Sequence, residues 1–224
     1  MHDDEMASDE DTYWEQRHAI VPSSDHDAST NVERRLVLLI DIETPELISQ
    51  CKRLRHRLEG YDCFLPVAAD DFHITIKQFA SDTEVRTTPN PVPSSAIDRV
   101  DTAISDAILP AAPFDIELPR FNLFPDVVYI EVNDGQRLTE LNRRLCQQDD
   151  ITALARDGNN FIPHLTLGYL SGAEEYHALV RCLEHERELP SMTVSVEELS
   201  LVAYNTTAEW PPTYEVLETY PLTS

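Results

Sequence analysis

Five consecutive apolar residues, Leu36-Val37-Leu38-Leu39-Ile40, constrain this chain more than any other feature. The run is far shorter than the roughly 20 residues that cross a bilayer. It is also too continuous for a strand with one wet face, which would alternate. Residues 35–42 are therefore predicted to form a strand in the middle of a sheet. Thr44-Pro45 supplies a cap and a first-turn proline. Leu47, Ile48, Cys51, Leu54 and Leu58 then recur at helical spacing until Gly60. Residues 61–67 and 72–79 are predicted as strands joined by the turn Ala69-Asp70-Asp71. A proline-rich connection over 87–93 precedes a second helix. Ser94 or Ser95 caps it, and Ile97, Val100, Ile104 and Ile108 form its apolar stripe.

The second half repeats this grammar. Strands are predicted over 114–118, 127–132, 161–170, 192–204 and 214–220. Helices are marked by Leu138, Leu141 and Leu145, and by Tyr176, Leu179, Val180 and Leu183. The fold class expected is α+β, a pair of lobes that are each a sheet with helices on one face. At 224 residues and 42% hydrophobic composition the chain has enough apolar material for one such domain. The domain is expected over 33–224. Residues 1–32 carry nine acidic residues against the single base Arg17. They are expected to be a solvated, largely disordered tail, with Tyr13-Trp14 and Ala19-Ile20-Val21 able to dock weakly on the body.

Composition excludes several function classes. The five glycines are scattered at Gly60, Gly135, Gly158, Gly168 and Gly172. A Walker-type loop and a GxGxxG fingerprint both need clustered glycines. The formal charge is −24, and only Lys52 and Lys77 are lysines. That balance argues against DNA or a long RNA as partner, because a polyanion prefers a basic stripe. It matches the proteins of salt-accumulating organisms, in whose cytoplasm a Debye length of about 3 Å mutes self-repulsion. The start Met1-His2-Asp3-Asp4-Glu5 is acidic where a secretory leader is basic and then apolar. The expectation is a cytoplasmic protein, away from membranes and monomeric. Cys51, Cys63, Cys146 and Cys182 have no CxxC spacing, so they are read as small hydrophobes rather than metal or redox pairs.

Two segments carry the chemistry. Phe72-His73-Ile74-Thr75-Ile76 and Pro163-His164-Leu165-Thr166-Leu167 share the form His, aliphatic, Thr, aliphatic, once in each half. In a strand, alternate side chains share a face. His73 would stand beside Thr75 and His164 beside Thr166, with the aliphatics turned to the core. Composition alone yields such a pair roughly once in sixty chains of this kind. Across a cleft, two imidazoles can act as general base and general acid on one phosphorus. Two threonine hydroxyls can hold its non-bridging oxygens. No metal or cofactor is needed. A His-based metal site would want a third ligand such as His177, which the His-x-Thr spacing does not supply. A groove that holds a nucleotide or RNA-end phosphate without turnover is the alternative function, and a scaffold role a third.

The segments 72–79 and 161–168, including the proline before His164, resemble the two motifs of the 2H phosphoesterase superfamily. The 2′-5′ RNA ligase (LigT-like) and cyclic phosphodiesterase branch is the most similar. The resemblance covers roughly residue 32 to the C-terminus. It implies a bilobal fold with pseudo-twofold symmetry, its two antiparallel sheets flanking a central groove lined by both motifs. It implies activity on a 2′,3′-cyclic phosphodiester or a 2′-5′ linkage of a nucleotide or RNA end. His73 and His164 would be catalytic, and Thr75 and Thr166 would bind the phosphate. Many relatives carry a basic residue soon after the second motif, whereas Gly168-Tyr169 stands here; Gln78-Phe79-Ala80 replaces a common Phe-Leu-Gly after the first. Lys77, on the His73 face by alternation, is a candidate to neutralise phosphate. Phe79 and Tyr169 are candidates to stack on a base. The cluster Arg53-Leu54-Arg55-His56-Arg57 is read as a solvated helix face with internal ion pairs.

Overall fold

The computed structural model describes residues 9–22, 33–68, 71–79, 94–108, 112–206 and 213–223. Ten strands and five helices form within these stretches. The apolar run becomes β1 (Glu33–Asp41), followed by α2 (Pro45–Leu58) after a short helix α1 (Asp9–Glu15). The first half continues with β2 (Phe64–Pro66), β3 (His73–Gln78) and α3 (Ser94–Ile108). The second contains β4 (Phe114–Glu117), β5 (Phe121–Leu123), β6 (Val127–Glu131) and α4 (Arg137–Cys146). A 3₁₀ turn (Gly158–Asn160), β7 (His164–Leu170), α5 (Tyr176–His185), β8 (Thr193–Val196), β9 (Glu198–Thr206) and β10 (Thr213–Pro221) complete it. No helix among the described residues is long and apolar enough to cross a membrane.

The fold is α+β with two antiparallel sheets, one large and one small. The large sheet runs β10-β9-β1-β3-β7-β6-β5, with β2 also paired to β7; β4 and β8 form a separate ribbon. As expected, β1 is central, paired to β3 on one side and β9 on the other.

A local two-fold relation runs through the middle of the large sheet, where β3 and β7 meet at Ile74↔Leu165. On one side Asp41 faces His73, Ile40 faces Ile74 and Leu39 faces Thr75; the register then slips, and Leu38 faces Lys77. On the other side Glu131 faces His164, Ile130 faces Leu165 and Tyr129 faces Thr166; the register slips at the equivalent place, and Val128 faces Gly168. Each motif strand thus carries a β-bulge just after its threonine, at Ile76 and at Leu167. A bulge inserts one residue and reverses which face the following side chains take.

The sheet has a dry face and a wetter one. Ile74, Ile76, Leu165 and Leu167 join the main core with Leu47, Cys51 and Leu54 of α2, Leu138 and Leu145 of α4, and Leu179 of α5. On the other face two small clusters stand apart. Val37, Leu39 and Val202 form one; Phe124, Val127 and Tyr129 form the other. His73 and His164 lie between them.

Three features depart from the sequence reading. Residues 192–204 form two strands, not one: the chain breaks at Glu197, so β8 pairs with β4 and β9 with β1 and β10. The three-residue β5 had no periodicity to announce it. Residues 9–22, read as part of a solvated tail in which Tyr13-Trp14 could dock on the body, hold α1 and bury Trp14, which is 8% exposed. An indole sandwiched between the guanidinium groups of Arg17 and Arg187, 4.8 and 4.2 Å from its ring centre, is the reason. The turn residues Ala69 and Asp70 and the proline-rich stretch 87–93 lie outside the described residues.

Gly168 explains one departure from the motif. A Cβ there would stand 2.4 Å from the Phe64 ring and 2.6 Å from the Leu65 carbonyl oxygen of β2. The backbone oxygen cannot swing aside as a side chain can. Gly168→Ala is expected to lower stability by about 1–3 kcal/mol, read as an unchanged denaturant slope with a lower midpoint.

Candidate active site

The pairing of Ile74 with Leu165 fixes the site. One step along each antiparallel strand sets His73 across from Thr166 and Thr75 across from His164. Diagonal neighbours on such a pair are about 7–8 Å apart, which suits two groups acting on opposite sides of one atom. All four side chains line a single cavity of about 720 Å³, within the size range of small-ligand sites. The sequence-predicted quartet is therefore brought together on one face.

Both imidazoles are held in the same way. His73 Nδ1 lies 3.0 Å from the Asp71 carbonyl oxygen, and His164 Nδ1 lies 2.7 Å from the Ile162 carbonyl oxygen. A carbonyl can only accept, so each Nδ1 carries the proton and donates it. In the neutral ring the lone pair then sits on Nε2. Each anchor is two residues before its histidine.

Their surroundings differ. Beside His73 the Asp71 carboxylate has its Oδ1 3.5 Å from Nδ1, and the Tyr214 ring lies edge-on at 6.4 Å. His164 sits instead against Phe124 at 5.1 Å and Tyr129 at 5.3 Å. Burial in this aromatic wall pushes the His164 imidazole down from the usual 6.5 to about 4. The Ile162 hydrogen bond opposes the shift, and the charges of Arg156 and His73 add to it.

The secondary candidates divide. Tyr169 lines the cavity. Burial, reinforced by Asp71 and Asp126, pushes its phenol up to about 12, so it stays neutral. Lys77 is not available to a phosphate. Its side chain has no exposure, and its Nζ donates to Asp157 Oδ2 at 2.5 Å, to the Gln78 carbonyl at 2.9 Å and to the Thr152 carbonyl at 3.1 Å. Phe79 is 4% exposed within the main core and does not line this cavity. One cause accounts for both corrections. Strict alternation puts 73, 75, 77 and 79 on one face, but the bulge at Ile76 sends 77 and 79 to the core side. Lys77 accordingly pairs with Leu38, a main-core residue, and Gln78 turns to the cavity.

The sequence reading missed the network that holds the cavity wall. A bulge leaves a carbonyl without a ladder partner, and Asn142 Nδ2 donates to that of Ile76 at 2.8 Å. The same Nδ2 donates to Asp157 Oδ1 at 3.0 Å, and Asn142 Oδ1 accepts from the Gly158 N–H at 2.8 Å. Asp157 Oδ2 also accepts from the Leu154 N–H at 2.6 Å. The loop ahead of His164 is thus tied to β3. That loop carries Arg156, which lines the cavity, pairs with Asp126 at 2.9 Å and lies 5.0 Å from the Phe124 ring centre. The only legible trace was Asn142, a polar residue one helical turn from Leu138 on the apolar stripe. The basic cluster of α2 behaves only partly as read: Arg55 and His56 pair locally with Glu59, but Arg57 pairs with Glu186 from another segment, and half-buried Arg55 also donates to the Val67 carbonyl. Its helix packs on the opposite face from the cavity.

The 2'-5' RNA ligase superfamily matches over residues 87–208, more than half of the chain. The RNA 2',3'-cyclic phosphodiesterase of Methanothermobacter thermautotrophicus is 22% identical over 173 residues, covering 75% of this chain and 88% of that protein. Among solved structures, apo LigT of E. coli superposes with a TM-score of 0.60 at 21% identity, covering 86% of this chain and 99% of LigT. The same LigT with 3'-AMP gives 0.58 at 18% identity, covering 85% and 99%.

Proposed function

From the premise that this chain belongs to the 2'-5' RNA ligase superfamily, whose chemistry is of the phosphoesterase and 2'-5' ligase kind, we propose that it is a metal-independent phosphoesterase. Its substrate is a 2′,3′-cyclic phosphodiester, or a 2′-5′ linkage, of a nucleotide or RNA end. The observation that carries this reading is the quartet His73, Thr75, His164 and Thr166 on one cavity wall, with both Nδ1 atoms tied to backbone carbonyls. The RNA 2',3'-cyclic phosphodiesterase relative and the nucleotide-bound LigT neighbour support it.

The roles of the two rings follow from their surroundings. His164, neutral down to about pH 4, is the base: its Nε2 takes a proton from water as the water oxygen bonds to phosphorus. His73 is the acid: its Nε2 gives a proton to the ribose oxygen as the P–O bond breaks, with the Asp71 carboxylate placed to balance its charge. Thr75 and Thr166 donate to the non-bridging oxygens, where negative charge grows. Tyr169 offers a ring face to the base.

The test is hydrolysis of 2′,3′-cyclic nucleotides in EDTA. Turnover is expected to persist in the chelator. The acid limb of kcat/KM is expected near pH 4 rather than near 6.5, because kcat/KM reports the free enzyme. Loss of all turnover in EDTA, restored by a divalent ion, would refute the mechanism. Binding of the cyclic nucleotide without any hydrolysis would make the groove a binding module instead.

A further inference from the structure

One wall of the cavity comes from outside the two-fold body. Thr12, Tyr13 and Gln16, on and just after α1, line it together with the catalytic quartet. This segment is fastened by several contacts. The Trp14 indole lies between two guanidinium groups. The Tyr176 hydroxyl donates to the Arg17 carbonyl at 2.7 Å. Glu184 of α5 receives both Arg17, 2.7 Å from its Nε, and His18, 2.8 Å from its Nε2. Tyr13 meets the Phe124 ring edge-on at 5.1 Å, and Phe124 in turn packs on His164.

We infer that α1 sets substrate size: by walling one side of the groove, it admits a nucleotide-sized phosphodiester and turns away the same linkage on a longer RNA. This rests on the phosphoesterase reading and goes beyond it. A mononucleotide fits a cavity of about 720 Å³. A longer strand must leave the cavity past its walls, one of which is closed by Thr12, Tyr13 and Gln16.

The experiment compares kcat/KM for a 2′,3′-cyclic mononucleotide with that for a ten-nucleotide RNA ending in the same cyclic phosphate. It uses the full chain, Trp14→Ala and Glu184→Gln. Trp14 and Glu184 lie outside the cavity lining, and the ratio of the two substrates cancels any change in the histidines. Faster tryptic cleavage after Arg17 reports release of the helix. The expected result is a preference of at least tenfold for the mononucleotide in the unaltered chain, falling at least threefold once the helix is released. A smaller preference, or a fall of less than threefold in a folded variant that trypsin shows to be released, overturns the inference. Should Trp14→Ala fail to fold, Glu184→Gln decides alone. Absence of turnover on both substrates would instead defeat the phosphoesterase reading. The size inference is then judged by the same thresholds on the equilibrium binding of the two ligands.

Discussion

Replacing His73 or His164 with alanine is expected to lower kcat on a 2′,3′-cyclic nucleotide by about 10²–10⁴-fold each. Both rings line the cavity, so both variants should fold, which circular dichroism can verify. The two losses are expected to combine to less than their product, because base and acid act on one transition state. The His164→Ala variant should also lose the acid limb near pH 4, since the group responsible for it is gone. Thr75→Val or Thr166→Val should lower kcat while leaving the limbs in place, because the hydroxyls donate without changing protonation. If both alanine variants keep full turnover, the two-histidine mechanism is wrong.

The second large effect concerns Lys77, and it is one of stability. Lys77→Met removes a fully buried ammonium and leaves the Asp157 carboxylate, 7% exposed, without its cation. Breaking one side of such a pair costs about 3–5 kcal/mol, measurable as a fall in the urea midpoint. The double variant Lys77→Met with Asp157→Leu should recover much of that loss, since no orphaned charge remains. It should not recover activity, because Asp157 also holds the Leu154 N–H and, through Asn142, the bulge of β3. A phosphate-binding lysine would behave in the opposite way. Its loss would raise KM and leave stability unchanged.

The sequence made the fold class and the quartet legible for a simple reason: both rest on short-range periodicity. The apolar run of β1, the stripe of α2 and the two His-x-Thr segments each declare themselves within a single short stretch of chain. The misreadings share a different cause. Alternation carries no sign of a bulge, so Lys77 and Phe79 were assigned to the wrong side of β3. Trp14 was legible only as a residue able to dock, because one of its two guanidinium partners, Arg187, is far away in the chain. An acid-rich stretch with no periodicity reads as solvated until a distant guanidinium is seen to cover its indole. The break at Glu197 was hidden because β8 and β9 are each good strands. Only the sheet each one joins tells them apart. Asn142, Asp157 and Arg156 act through contacts across the fold, which spacing cannot report.

The likeness of the two motif strands has a consequence for orientation. A perfectly symmetric pocket would accept an asymmetric guest in two poses related by a half-turn, and one of them would present the wrong oxygen to each ring. Here the frame repeats but its furnishing does not: a carboxylate attends His73, and an aromatic cage encloses His164. In the proposed reaction that inequality would break the degeneracy, leaving a nucleotide one productive way to lie and the proton a single direction of travel.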